Sequence, residues 1–266
     1  MGDTPWICTA CGTNYVASLH PPKSCPICQD ERQFVPSSGQ NWLQGYEVAA
    51  SHRVAFTPLA DSLTQLTMEP DFAIGHRSIL VETPKGNLLW DCLPYFDDAS
   101  LMEISRRGGL AVVAISHPHF YGAFAQISAA FGNCPVLLHA ADAHWLQFPF
   151  SSVQHWTGQS HSPLPQLTLH HCGGHFPGSS VLEINGHTLL TGDTVAVSAD
   201  RKSVSFMFSY PNRIPLGPSA LTAIEQALRP LTFDALHSST PGATISANAK
   251  ELVAQSIARY RHAISK

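Results

Sequence analysis

Two stretches of the chain alternate apolar runs with turn residues, and we predict both to be β-hairpins. In residues 78–91, SILVETPKGNLLWD, the apolar runs flank Pro84-Lys85-Gly86. Further along, two apolar runs flank Asn185-Gly186, the dipeptide typical of a two-residue type I′ turn. The continuous apolar run over 110–115 predicts a strand that is buried on both faces.

Apolar residues recur at helical spacing between and after these strands. The pattern predicts helices over 100–107, 123–131 and 140–147, a helix that begins at Pro218, and a final helix capped by Ser246. Further strands are predicted near 136–138 and 233–236. Because strands and helices alternate and hairpins occur in both halves of the chain, we expect a layered α/β protein with mixed sheets.

Composition narrows the class of protein. The 266 residues are 44% hydrophobic and 13% charged, which suits one large packed domain, or one such domain with a small module. The formal net charge of -4 disfavours an extended nucleic-acid surface, so no nucleic acid is expected as a partner. No run approaches the ~18 apolar residues of a membrane span. The chain also begins without a secretion signal, so we expect a cytoplasmic protein that does not bind membranes.

The first 30 residues carry two closely spaced cysteine pairs, Cys8-x2-Cys11 and Cys25-x2-Cys28. Two such turns facing each other make a tetrahedral four-sulfur cage for Zn or Fe. A segment of this length buries too little apolar area to fold unaided, and the metal would supply the missing stability. We therefore predict a metal-binding module over residues 1–38, and a second domain over 39–266.

The stretch WICTACGTNYVASLHPPKSCPICQDERQFV resembles the rubredoxin-like iron module of rubrerythrins. The shared features are an aromatic residue before the first cysteine, Cys-Gly after the first pair, Cys-Pro-x-Cys at the second pair, and Phe34 beyond it. Zinc ribbons use the same four ligands, so redox-active iron and structural zinc both remain open. A protein or redox partner, if the chain has one, is expected to dock on this module.

The predicted strand over 110–115 ends in His117-Pro118-His119. Proline biases His117 toward an extended conformation, in which residues two apart point the same way, so both imidazoles can face one ion. Two later segments offer partners, because His175 follows a Gly-Gly turn and Asp193 follows a glycine at the end of the second hairpin. Three histidines and one carboxylate would make an open metal site for one Zn or Fe ion.

The order His-x-His, then Gly-His, then Thr-Gly-Asp looks like the metallo-β-lactamase superfamily over about residues 50–240. The resemblance implies a four-layer α-β-β-α sandwich with metal at the rim between the sheets. It also implies these metal ligands: His117, His119 and His175 for the first ion, Asp193 as the carboxylate that bridges two ions, and His237 as the last histidine. Asp91 matches a carboxylate that supports the ligands in this superfamily.

The sequence departs from the superfamily pattern His-x-His-x-Asp-His, because Tyr121 and Gly122 occupy the last two positions. Those positions normally hold the second ion, so we expect a single ion in this site. Some other group must then assist the attacking water. Asp193 is a candidate base, and Tyr121 is either a donor to a developing oxyanion or a packing residue.

These features predict a metal-dependent hydrolase whose small-molecule substrate is an ester, lactone, amide or phosphoester attacked by metal-bound water. Two alternatives stay open. One is a redox or electron-transfer protein that uses an iron centre in the cysteine cage. The other is a non-catalytic binding protein that its metals stabilise.

Overall fold

The computed structural model describes residues 4–33 and 35–265. Phe34, one of the residues that resemble the rubredoxin-like module, lies outside the described residues. Over the described ranges, no helix has both the length and the apolar character that crossing a membrane requires.

A small antiparallel sheet opens the chain. Its strands are β1 (Trp6–Cys8), β2 (Asn14–Tyr15) and β3 (Trp42–Gln44), with β1 in the centre. The four cysteines pack with Tyr15 and Ile27 into a separate core that holds this module together. The small sheet takes in residues beyond position 38, and the division of the chain at that position stays a prediction.

Seven strands form the first large sheet. They are β4 (Arg53–Ala60), β5 (Leu63–Glu69), β6 (Ser78–Val81), β7 (Leu88–Trp90), β8 (Val112–Ala114), β9 (Val136–His139) and β10 (Val153–Trp156). The order is sequential from β10 to β4, with antiparallel pairs from β4 to β7 and parallel pairs from β7 to β10.

The remaining strands form a second large sheet and two short hairpins. In chain order they are β11 (Ser160–Leu164), β12 (Leu167–His171), β13 (Ser180–Ile184), β14 (Thr188–Leu190), β15 (Ala196–Val197), β16 (Val204–Ser205), β17 (Met207–Ser209), β18 (Ile214–Pro215), β19 (Ala235–His237) and β20 (Thr244–Ile245). Strands β15–β16 and β17–β18 are the hairpins. The sheet runs β11-β12-β13-β14-β19-β20, and only its β14–β19 pair is parallel.

The described residues form six α-helices, and the last four of them cover the outer faces of the two large sheets. They are α1 (Pro26–Gln29) and α2 (Gly45–Ala49) near the small sheet, then α3 (Asp98–Arg106), α4 (Phe124–Ala130), α5 (Pro218–Leu228) and α6 (Ala249–Ile264). Apolar side chains of α3 and α4 pack on the first large sheet, and those of α5 and α6 pack on the second. A third apolar core lies between the sheets. The predicted α-β-β-α sandwich with a small metal ribbon is confirmed.

Most of the predicted strands and helices agree with the structure. The Asn185-Gly186 hairpin is confirmed, with both residues at positive φ, as a type I′ turn requires. Residues Ala140–Trp145 form a 3-10 helix instead of an α-helix. The prediction that Ser246 caps the last helix is wrong: Asn248 precedes the first helical residue, and its backbone N–H donates to Asp234 Oδ1 at 2.7 Å.

Candidate metal centres

The first two histidines follow β8, at the carboxyl end of a buried parallel strand. The backbone of His117 is extended, with φ -170° and ψ 171°, as the following proline predicts. The chain then turns through a 3-10 helix, Pro118–Phe120, instead of continuing as a strand. This turn brings Nδ1 of His119 toward the side chain of His175.

The other two members come from the second large sheet. His175 lies in the loop between β12 and β13, and Asp193 lies just beyond β14. Gly192 has φ +52°, and a Cβ at this position would lie 2.4 Å from Ser116 Oγ. Only glycine therefore lets the strand carrying Asp193 approach the loop that carries His117.

The four side chains converge on one point. Their ligand atoms all lie within 4.8 Å of one another. His119 Nδ1 lies 3.4 Å from His175 Nε2, and Asp193 Oδ2 lies 3.5 Å from His117 Nε2 and 3.8 Å from His175 Nε2. A tetrahedral ion with bonds of about 2.0–2.1 Å separates its ligands by roughly 3.4 Å. The residues present therefore fit one Zn or Fe ion.

Hydrogen bonds fix the orientation of two of these groups. His175 Nδ1 donates to the backbone carbonyl of Met207 at 3.0 Å, which leaves the lone pair of Nε2 directed at the metal position. Ser239 Oγ donates to Asp193 Oδ1 at 2.5 Å and leaves Oδ2 for the site. His117 Nε2 is a buried nitrogen that no protein group satisfies, as expected of a metal ligand.

Asp91 acts on the site through an intermediate residue. Its Oδ1 accepts a hydrogen bond from the backbone N–H of Ser116 at 2.7 Å, and Ser116 Oγ lies 2.9 Å from His117 Nδ1. Burial raises the pKa of Asp91 to about 8. This carboxyl therefore positions the loop that carries His117 and does not touch the metal position.

Burial also keeps the three histidines uncharged. It lowers the pKa values of His117 and His119 well below the ordinary range. It lowers the pKa of His175 to about 4, with a further contribution from His117. Because only neutral imidazole binds a metal, all three are competent ligands at neutral pH.

The cysteines of the ribbon form the second centre. Cys8 Sγ lies 3.4 Å from Cys28 Sγ, and Cys11 Sγ lies 3.6 Å from Cys25 Sγ. Tetrahedral coordination with metal–sulfur bonds of about 2.3 Å separates sulfurs by roughly 3.8 Å, so this group also fits one ion. The hydroxyl of Tyr15 donates to Cys25 Sγ at 3.1 Å. Such a hydrogen bond stabilises a bound thiolate.

The structure does not bring His237 into the histidine group. The residue is buried at the end of β19, and its Nδ1 lies 3.0 Å from Oγ1 of Thr244, its cross-strand neighbour on β20. Burial and the nearby Arg77 lower the pKa of His237 to about 4. Arg77 itself donates to backbone carbonyls of Ser238 and Ala243, so this region joins the two large sheets.

Tyr121 and Gly122 are not members of the group of side chains that converges on the metal position. The Tyr121 hydroxyl donates to the backbone carbonyl of Asp142 at 3.3 Å, within an apolar core, which favours a packing role over that of an oxyanion donor. Gly122 has φ +46°, and a Cβ there would lie 2.4 Å from the carbonyl oxygens of Cys92 and Leu93. The backbone therefore excludes any ligand side chain at position 122.

A cavity of about 440 Å³ opens at the histidine centre. Its wall includes Ala10 and Gln33 from the ribbon, and His76 and Tyr210 from the larger domain. The sequence prediction missed His76 and Gln33 as site residues. Neither has metal-ligand spacing, and only the folded chain places them in the same cavity wall as Asp193.

The ribbon is fastened over this cavity by the segment around Arg32. Ser209 Oγ donates to the Arg32 carbonyl at 2.9 Å, and Asn212 Nδ2 donates to the Glu31 carbonyl at 2.9 Å. The Arg32 guanidinium lies 4.4 Å from the ring centroids of both Phe176 and Phe208. Its positive charge contributes to the lowered pKa of His175, so the ribbon affects the site electrostatically as well as sterically.

One relative aligns with nearly the whole chain. The uncharacterized protein YmaE of Bacillus subtilis (strain 168) is 36% identical over 267 residues, which cover 98% of this chain and 97% of YmaE. No protein-family model matches the chain.

Similar solved structures include several metallo-β-lactamases. The enzyme FIM-1 from Pseudomonas aeruginosa, in its mono-zinc form, is 17% identical with a TM-score of 0.56, over 78% of this chain and 96% of FIM-1. A metallo-β-lactamase from Pontibacter korlensis is 15% identical with a TM-score of 0.59, over 79% and 99% of the two chains. TTHA1623, in a di-iron-bound form, is 23% identical with a TM-score of 0.50, over 72% and 97%. At these identities the likeness shows a shared fold.

Proposed function

This chain belongs to the family of YmaE and has the metallo-β-lactamase fold, and on that premise we propose that it is a metal-dependent hydrolase with one ion in its active site. The substrate would be an ester, lactone, amide or phosphoester. The observation that carries this proposal is the convergence of His117, His119, His175 and Asp193 at separations that suit one tetrahedral ion.

A single ion is supported by the residues that replace the second set of ligands. The hydroxyl of Tyr121 is engaged by a backbone carbonyl, and position 122 has no room for a side chain. His237 is engaged by Thr244. Among the described lining residues of the cavity, Asp193 supplies the one carboxylate, and the Nε2 of the remaining histidine, His76, is engaged by the Cys92 carbonyl.

A bound Zn or Fe ion supplies a Lewis acid and a water of lowered pKa. Side chains and backbone groups of the protein would bind the ion, orient its ligands and accept a proton. The three imidazoles would hold the ion, and the Met207 carbonyl keeps Nε2 of His175 directed at the metal position. With the three imidazoles as ligands and the fourth position left to a water, Asp193 Oδ2 could take the proton that the water gives up, while Ser239 holds Oδ1. The ribbon closes one side of the cavity and limits the access of bulk water.

The proposal is tested by metal analysis and a substrate panel on the same preparation. The zinc-loaded protein is expected to hold two ions per chain, one in each centre. It should hydrolyse at least one member of a panel of esters, lactones, amides and phosphodiesters. The His117→Ala variant should keep one ion and lose at least about 100-fold in kcat/KM. His144→Ala, at an exposed histidine, is the matched control and should change neither. A parent protein that holds both ions and hydrolyses no substrate would instead support a non-catalytic role.

A redox function is the second candidate. The observation that favours it is the position of Ala10, which lies between Cys8 and Cys11 in the cysteine cage and also lines the histidine cavity. An electron would therefore have a short path between the two centres. An iron-loaded cysteine centre has visible thiolate charge-transfer bands. If the protein purified from cells grown with iron and zinc is colourless and contains zinc alone, this candidate fails.

A further inference from the structure

Phe176 is a buried ring that packs against all three candidate histidine ligands. The residue is 1% exposed. The centroid of its ring lies 4.8 Å from that of His119, 5.2 Å from that of His175 and 5.5 Å from that of His117. Aromatic rings at these separations are in contact. A shift of this one ring would therefore displace all three imidazoles.

The ribbon residue Arg32 packs on this ring from the other domain. Its guanidinium carbon lies 4.4 Å from the ring centroids of both Phe176 and Phe208, and its side chain is 15% exposed. Phe176 follows His175 in the chain, and Phe208 follows Met207. The Met207 carbonyl accepts the hydrogen bond of His175 Nδ1. Arg32 therefore packs on the neighbours of both groups in the hydrogen bond that orients His175.

The backbone on both sides of Arg32 is also fixed to the larger domain. Asn212 Nδ2 donates to the carbonyl of Glu31 at 2.9 Å and to the carbonyl of Gln33 at 3.3 Å. Arg32 comes four residues after Cys28, the last sulfur of the cysteine cage. Because a ribbon of this size depends on its ion to fold, the ribbon ion fixes the place from which Arg32 reaches the histidine centre.

The charge of Arg32 and its packing act in opposite directions on a cation in the histidine centre. A guanidinium repels a nearby metal ion, although the Asp30 carboxylate, 2.7 Å from Nη1, offsets part of this charge. Packing on the two rings instead restricts the movement of the ligands and favours binding. The two effects differ in sign, so the direction of change in a variant distinguishes them.

We propose that Arg32 is a positioning residue through which the loaded ribbon raises the affinity of the histidine centre for its ion. Arg32 holds Phe176 in place, and Phe176 holds the three imidazoles at separations that suit one ion. This inference rests on the proposed function above, which places one ion in the histidine centre. It gives the ribbon a regulatory role, because a chain without the ribbon ion would bind the second ion weakly.

The test compares Arg32→Ala with Arg32→Met in the full chain. Both variants remove the charge and the ion pair with Asp30, but methionine still fills the space beside the two rings. Competition with a chelator measures the zinc affinity of the histidine centre, and His117→Ala versions of each protein report the ribbon ion alone. Arg32→Ala should keep the ribbon ion and bind the second ion at least about tenfold less tightly. Arg32→Met should stay within about threefold of the parent.

A second comparison tests the link to the ribbon ion. Cys25→Ser should weaken zinc binding at the histidine centre by at least as much as Arg32→Ala does. Combining the two substitutions should add little further loss, because both act through one contact.

Four results would each overturn the assignment while the metal centre stands. They are an Arg32→Ala protein that binds the second ion as tightly as the parent or more tightly, a methionine variant as weak as the alanine variant, loss of the ribbon ion from Arg32→Ala, and additive losses in the double variant. If the parent binds no second ion, the proposed hydrolase centre fails and this inference fails with it.

Discussion

The loss of the second set of metal ligands can be tested at Gly122. We compare Gly122→Ala with Gly132→Ala, because both glycines have positive φ, at +46° and +70°. At position 132 a Cβ would meet nothing within 4 Å, so this variant pays only the conformational cost of about 1–2 kcal/mol. At position 122 the same atom would lie 2.4 Å from two backbone oxygens. Overpacking of this kind costs a further 1–3 kcal/mol or so.

The expected result is that Gly122→Ala lowers the free energy of unfolding by about 2–5 kcal/mol, clearly more than Gly132→Ala does. Urea denaturation at one fixed zinc concentration measures both values, because metal binding contributes to stability. Gly122→His should be at least as destabilised and should bind no third ion. If the two alanine variants agree within about 0.5 kcal/mol, the close approach to Cys92 and Leu93 is not the reason for glycine.

Three further outcomes are expected. His237→Ala should keep both ions, because Nδ1 is engaged by Thr244, and metal analysis that finds one ion fewer would place His237 among the ligands. Cys25→Ser should lose the ribbon ion and lower kcat/KM several-fold, since Gln33 and Ala10 wall the cavity; an unchanged kcat/KM would contradict that role. Burial raises the pKa of Asp142 from 3.8 to about 6, so between these pH values the folded protein binds more protons than the unfolded chain does. The free energy of unfolding therefore falls, by up to about 3 kcal/mol, as the pH rises from 3.8 to about 6. Asp142→Asn should remove this fall, whereas Asp71→Asn, at an exposed carboxylate, should leave it; equal pH profiles for both variants would refute the assignment.

Local sequence signals predicted several elements well, and they did so where the local and tertiary requirements agree. The Asn185-Gly186 turn needs two residues at positive φ, and few other dipeptides supply them. The helix predicted over 100–107 is α3, and at its start the Asp97 side chain accepts a hydrogen bond from the Ser100 backbone N–H, a typical N-cap contact. The long β4–β5 hairpin was not predicted, because Arg53–Ala60 is largely exposed and lacks a clear apolar alternation.

The two groups of candidate metal ligands were predictable because residue type and spacing identify them. Four cysteines in two pairs, and three histidines and an aspartate that follow apolar runs, have few other uses in combination. Residue type and position did not predict the environment of His237. Its Nδ1 pairs with the side chain of Thr244, a neighbour on the adjacent strand, and the residues around His237 in the sequence give no sign of that pairing.

The sequence by itself determined the layered fold, the two groups of candidate ligands and the absence of an Asp-His pair after His-x-His, because each depends on residue type and on periods of two, three or four along the chain. Only the tertiary structure decided that the ribbon walls the cavity, that His237 lies outside the histidine group, and that position 122 has no room for a side chain. These features arise from contacts between residues far apart along the chain, and a contact of that kind leaves no periodic signal in either partner.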